Sequence, residues 1–175
     1  MKKATITSRT IAVEHIRIQS ERPFAEVRHR LEEIVPQLDR GIAAALAQGD
    51  LERVREYETK GPLLSIFLVR DHGSLLRIAR IRSNALQYEI GKPLTASKMT
   101  RHQICAGLYA PLRVALFEDE QGKGVFEYDK PQDLVQAVPR LPRSSFFGQF
   151  GDDRVTGVGR YLDSALESAL LSAAN

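Results

Sequence analysis

The sequence predicts an α+β fold in which a curved antiparallel sheet packs on a long C-terminal helix. Two observations carry that prediction. Residues 85–90, 111–118 and 124–129 read as strands, the first two alternating apolar and polar side chains with a period of two. Val155, Val158, Leu162, Ala165, Leu166, Ala169 and Leu170 recur at helical spacing behind a capping Asp152 or Asp153. The strands are joined mainly by connections suited to antiparallel neighbours, which leaves the helices to cover one face.

The elements follow in order. Residues 9–19 read as the first strand, with Ile11 and Val13 in one phase and Ile16 and Ile18 in the other. A bulge near Glu14-His15, or burial on both faces, would reconcile the two phases. Pro23 suits a first helical turn, and Phe24, Val27, Leu31 and Ile34 follow at helical spacing. A second helical piece runs from Ile42 to Ala47 and ends at Gly49; Asp50 then caps a charged surface helix from Leu51 to Thr59. Leu64 to Val69 is a short apolar run that reads as a buried strand, and a helical turn from Ser74 to Ile81 follows it. Gly91-Lys92-Pro93 stops the strand that begins at Ala85, and Thr95 caps a brief helix through Arg101. The polar turn from Asp119 to Lys123 makes a hairpin of the next two strands. An amphipathic stretch around Leu134, Val135 and Val138 leads into a loop bracketed by Pro139 and Pro142. Gly157 and Gly159 each cost the last helix about 1 kcal/mol relative to Ala. Either the backbone is closely approached there, or the helix is regular only from Tyr161 onward.

A chain of 175 residues, 43% hydrophobic and 27% charged, suits a single domain over residues 1–175, with a core that needs no disulfide or metal. A lone Cys105 leaves no internal disulfide to form and fits a reducing, cytoplasmic setting. No apolar run approaches the length that spans a bilayer, so no membrane partner is expected. The formal charge of +3 comes from 25 basic and 22 acidic residues that are mostly interspersed. The tightest basic stretch is Arg77, Arg80 and Arg82. With no reader motif and no aromatic-interleaved basic patch, nucleic acid is not an expected partner.

Four motifs stand out: Asp71-His72-Gly73, Tyr88-Glu89-Ile90-Gly91-Lys92-Pro93, Gly107-Leu108-Tyr109-Ala110-Pro111-Leu112-Arg113-Val114 and Phe126-Glu127-Tyr128-Asp129-Lys130-Pro131. Together, in this order, they resemble the bacterial family called domain of unknown function 302, over about residues 10–172. The resemblance implies a strand–helix–four strands–helix fold similar to the TATA-binding-protein type, often found as homodimers. It brings no assigned activity. The usual Gly-Asn-Pro of that family is here Gly91-Lys92-Pro93, and lysine offers no acceptor in place of the amide. The stretch from Gly41 to Gly61 looks longer and more helical than in minimal members.

No catalytic or metal-binding set rises above its plainer structural explanation. His72, at the end of a strand, suits a general base or a metal ligand, but a turn-bonded histidine is the commoner outcome. His102 and Cys105 have a His-x-x-Cys spacing that would seat two ligands on a metal or a haem edge. Zinc normally takes at least three protein ligands, and no third is obvious beside them. Gly157-Val158-Gly159 lacks the third glycine and the preceding strand of a dinucleotide site. Glu118, Asp119, Glu120 and Asp129 read as solvated hairpin charges, and Phe146, Phe147 and Phe150 as packing under a loop.

The leading reading is therefore a non-catalytic module, with no cofactor assigned and homodimeric by resemblance. It binds a small, partly apolar anionic ligand between the sheet and the C-terminal helix. Its expected lining is His72, Tyr88, Lys98, Tyr109 and Arg113, with Arg113 or Lys98 pairing the anionic group. The strand ends at Val69 and Ile90 and the strand start at Leu112 are expected to meet at one rim, so that His72 and Arg113 share an opening. Two other readings stand beside it. One is an enzyme or metal or haem protein using His72 or His102 and Cys105; the other is a structural dimeric interaction domain.

Overall fold

The computed structural model describes residues 4–8, 10–11, 13–130 and 147–175. Its strands are β1 (His15–Pro23), β2 (Ser65–Asp71), β3 (Ala85–Gly91), β4 (Leu112–Glu118) and β5 (Lys123–Asp129). They form one curved antiparallel sheet in the order β1-β5-β4-β3-β2. Alternation decides the two faces. Leu86, Tyr88 and Ile90 of β3, Leu112, Val114 and Leu116 of β4, and Phe126 and Tyr128 of β5 are buried on one face. Arg113 and Glu127, one residue out of phase, occupy the other. Helices α1 (Phe24–Ile34) and α6 (Asp153–Ala174) pack together on the apolar face.

Helix α6 has 22 residues, a length of about 33 Å. Leu162, Leu166 and Leu170 are buried along it, as their spacing predicts. The helix is regular from Asp153 onward and runs through both glycines. A Cβ at Gly159 would stand 2.8 Å from Cδ2 of the buried Phe147, so close approach of that ring is what the glycine permits. Asp152 caps the helix by accepting from the Arg154 backbone N–H. The side-chain bond from Arg154 holds the Asp152 carboxyl at about 2, below the usual carboxylate range.

Several boundaries differ from the sequence expectation. Strand β1 begins only at His15, so Ile11 and Val13 precede it and no bulge is needed at Glu14-His15. Ile16 and Ile18 pair with Tyr128 and Phe126, and the irregularity falls between Gln19 and Pro23 instead. Strand β2 is an edge strand. Its register shifts between Ile66 and Leu68, and Leu68 is exposed. Backbone bonds from Ile66 to Pro36 and from Leu38 to Ile66 cover the first half of that edge.

Between α1 and β2 lie α2 (Arg40–Gln48) and α3 (Leu51–Lys60), capped by Asp39 and Asp50. Gly49, at φ 72°, makes the left-handed turn that ends α2. Helix α4 (His72–Ile78) starts earlier than expected because Asp71 Oδ1 accepts from the Ser74 N–H at 2.8 Å. Helix α5 (Pro93–Thr100) starts at Pro93 rather than after Thr95, since proline is preorganised for a first helical position. A 3-10 turn, Ile104–Tyr109, leads into β4. The expectations for Leu134, Val135, Val138, Pro139, Pro142 and Phe146 lie outside the described residues. Among the described residues, no helix is long and apolar enough to cross a membrane.

Candidate functional site

An apolar cavity lies where α5 and α6 meet the end of the sheet formed by Gly91 of β3 and Leu112 of β4. Its volume is about 200 Å³. Phe67 and Ile90 supply its sheet wall, Pro111 and Leu112 its rim, and Ala96 and Leu162 close it from α5 and α6. Leu46 of α2 and the Gly91-Lys92-Pro93 turn complete it. The turn that stops the strand in the sequence, and that departs there from the usual Gly-Asn-Pro of the family it resembles, is a cavity wall.

Lys92 is mostly buried there. Its Nζ donates to the Glu58 backbone carbonyl at 2.8 Å and stands 3.9 Å from Glu58 Oε2. It ties the β3–α5 turn to α3, which Tyr57 also anchors through a 2.7 Å bond between its hydroxyl and Ser65 Oγ. A second, more polar cleft of about 370 Å³ is lined by Glu58, Lys98, Arg154 and Tyr161, among others. Its cations are already held: Lys98 Nζ is 2.9 Å from Glu58 Oε1, and Arg154 pairs with Asp152 at 2.7 Å. A third, water-sized hollow of about 40 Å³ is lined by Tyr109, Pro111, Leu112, Arg113 and Asp129. It shares Pro111 and Leu112 with the apolar cavity.

The five side chains singled out from the sequence do not converge. Tyr109 and Arg113 meet at the small hollow, and Lys98 lines the polar cleft. Tyr88 is fully buried on the core side of β3, and its hydroxyl donates to Glu32 Oε1 at 2.9 Å. Burial raises the phenol's pKa, and the adjacent Glu32 charge raises it further. His72 is exposed at the start of α4.

The expectation that His72 and Arg113 share one opening is corrected by the register. Asp71 pairs with Leu86 at the start of β3, whereas Arg113 pairs with Glu89 near its end. Antiparallel neighbours finish at opposite rims, so the ends of β2 and β3 lie apart. Glu89 is engaged by Arg70 at 2.6 Å, and Arg113 makes no ion pair among the described residues.

Among the described residues, no group of three or more His, Cys, Asp or Glu side chains is placed to hold a metal ion. Cys105 is exposed. Of the aromatic cluster, Phe147 is buried and meets Tyr109 edge-on, with ring centroids 6.3 Å apart, and Phe150 packs partly buried against the core.

Sequence reasoning had no signal for Leu46, Phe67, Ala96 and Leu162, which come from four elements with no common spacing. It also missed His15, whose Nδ1 lies 2.8 Å from Asp129 Oδ1 beside the small hollow. Hydrogen bonding to Asp129 is the main cause that raises the His15 pKa above its ordinary 6.5. The pair thus stabilises the fold below that value and loses its contribution as pH rises through the shifted one. NMR titration should find His15 above 6.5, and Asp129→Asn should bring it down. An unshifted wild-type histidine would show that the pair does not form in solution.

Comparison with known proteins places this arrangement. The family model described as domain of unknown function DUF302 matches residues 50–167, which span α3 through most of α6. Among solved structures, the chain is similar to an uncharacterised conserved protein, DUF302, from Bacillus stearothermophilus. The two are 14% identical, with a TM-score of 0.60 over 91% of this chain and 97% of that one, a likeness of fold. Comparison with curated proteins gives no match.

Proposed function

The chain belongs to the DUF302 family, and from that premise we propose that it is a non-catalytic module binding a small amphiphilic anion. The observation that carries the reading is the apolar cavity of about 200 Å³ between the sheet end and helices α5 and α6. An apolar cavity of about 150 Å³ is enough to hold benzene, whereas drug-sized ligands need roughly 300 Å³ or more. The cavity therefore suits a ring or a short aliphatic chain, with the rest of the ligand outside.

Arg113 is the better anchor for the anionic end. It has no ion-pair partner among the described residues, and its hollow shares a wall with the cavity, whereas Lys98 is held by Glu58. Tyr109 stands beside it at the same hollow. Tyr88 serves this reading indirectly, as a buried link to α1, and His72 takes no part in it. The working unit is proposed to be a homodimer.

Native mass spectrometry of freshly purified protein reads subunit number and any co-purified ligand together. Octanoate, titrated by calorimetry, is a suitable probe of the cavity. Arg113→Ala is expected to weaken octanoate about tenfold or more, the loss of one charge-assisted hydrogen bond. Ala96→Leu is expected to fill the cavity and abolish binding with the fold retained. Neither a co-purified ligand nor octanoate binding would leave the interaction-domain reading in front.

A further inference from the structure

The segment His72–Ser83 lies at the far end of the sheet from the cavities. Three of its aliphatic side chains are exposed: Leu75 is 61% exposed, Ile78 83% and Ile81 51%. Arg77, Arg80 and Arg82 stand among them, and the segment contains no acidic residue. Its three arginines match the formal +3 of the whole chain. Arg77 donates to Ser74 Oγ and lies 3.9 Å from Asp71, whereas Arg80 and Arg82 make no ion pair among the described residues. Arg80 adopts φ 61°, a conformation that non-glycine residues seldom take, and so turns the chain sharply after α4. Gly73 holds this turn close to the sheet: a Cβ there would stand 2.8 Å from the Ser83 carbonyl oxygen.

Exposed aliphatic side chains grouped in this way mark an interaction surface, and the charge pattern selects the partner. None of the cavities described above takes a lining residue from this segment. Two copies meeting through Ile78 would bring arginine against arginine. Of the acids of the adjoining β4–β5 hairpin, Glu118 is bonded by Asn84 and Asp119 accepts from the amides of its own turn, which leaves one exposed acid, Glu120, against three arginines. A bilayer with anionic headgroups satisfies both kinds of side chain. Guanidinium groups pair with lipid phosphate, and short aliphatic side chains reach the acyl boundary beneath it. Contact of this kind needs no spanning segment. We infer that the tip formed by α4 and the turn after it docks the protein on an anionic lipid surface.

Co-sedimentation with vesicles tests this directly, using phosphatidylcholine alone and phosphatidylcholine mixed with phosphatidylglycerol. The full chain is expected to sediment with the mixed vesicles only, and to be released as ionic strength rises. The double variant Arg80→Gln, Arg82→Gln should lower partitioning roughly 25-fold, about fivefold per arginine near the surface. Ile78→Ser should lower it while keeping its charge. All three positions are exposed, and circular dichroism checks that each variant folds. No binding to the mixed vesicles, or binding that both variants retain, overturns the inference. A wild-type dimer that Ile78→Ser converts to monomer overturns it too, because the tip would then be covered by a second copy. None of these outcomes depends on the ligand cavity.

Discussion

Replacing Leu166 with Ala is expected to destabilise the protein by about 2–5 kcal/mol. Leu166 is fully buried at the middle of the α6 stripe, in the same cluster as Tyr88, Val114 and Phe126 of the sheet and Leu31 of α1. Truncation removes contacts with both layers at once. Because the sheet is fixed by its ladders and α1 by its own packing, the surroundings cannot collapse far into the space left. For a chain of this size each kcal/mol corresponds to about 2–4 °C in Tm, so the loss is readable in a thermal or chemical melt. Leu171 provides the control on the same helix. It is exposed, and Leu171→Ala should stay within about 0.5 kcal/mol of wild type. A Leu166→Ala melt that overlays the control would mean that α6 is not packed on the sheet as described.

The same helix shows why some of the fold was legible in the sequence and some was not. A stripe of seven apolar residues has one packing solution, and strands β3 and β4 alternate so cleanly that their buried faces follow from the pattern. Strand β2 was harder. Its continuous run from Leu64 to Val69 reads as buried on both sides, yet Leu68 is exposed, because the strand lies at an edge. Edge position is a property of strand order, and strand order is not written in any local spacing. Strand β1 was displaced for a related reason. Ile11 and Val13 are as apolar as Ile16 and Ile18, and only pairing with Phe126 and Tyr128 decides which pair the ladder takes.

The candidate site was less legible still. Polar residues at strand ends were expected to gather, but chain direction alternates in an antiparallel sheet, so His72 and Arg113 were separated by topology. What the structure assembles instead is an apolar cavity from α2, β2, α5 and α6, whose contributors Leu46, Phe67, Ala96 and Leu162 look like ordinary core residues one at a time. The Gly91-Lys92-Pro93 turn was the one visible trace of it. Lys92 reaches the Glu58 carbonyl from that turn and so ties it to α3.

A second core substitution tests the other contact on which the sheet depends. Gly124→Ala is expected to destabilise the protein by about 1–3 kcal/mol, although it adds a single methyl group. Gly124 is buried in β5, beneath α1. A Cβ there would stand 2.7 Å from Cγ2, 2.8 Å from Cβ and 3.1 Å from Cγ1 of Val27. Three close atoms of one β-branched side chain leave no escape by rotation, since valine in a helix has one strongly preferred rotamer. Relief must come from moving α1 away from the sheet, and α1 is bound on its other side to α6. The strain would therefore spread into the core rather than stay at the hairpin. Pairing the change with Val27→Ala separates the two ways stability is lost. Val27→Ala alone removes two methyl groups and leaves space, whereas the double variant lets the added methyl occupy part of it. The double variant should be more stable than the sum of the two losses, by about 0.5–3 kcal/mol of coupling. Strict additivity, or a neutral Gly124→Ala, would show that the approach of α1 to β5 is looser than these distances require.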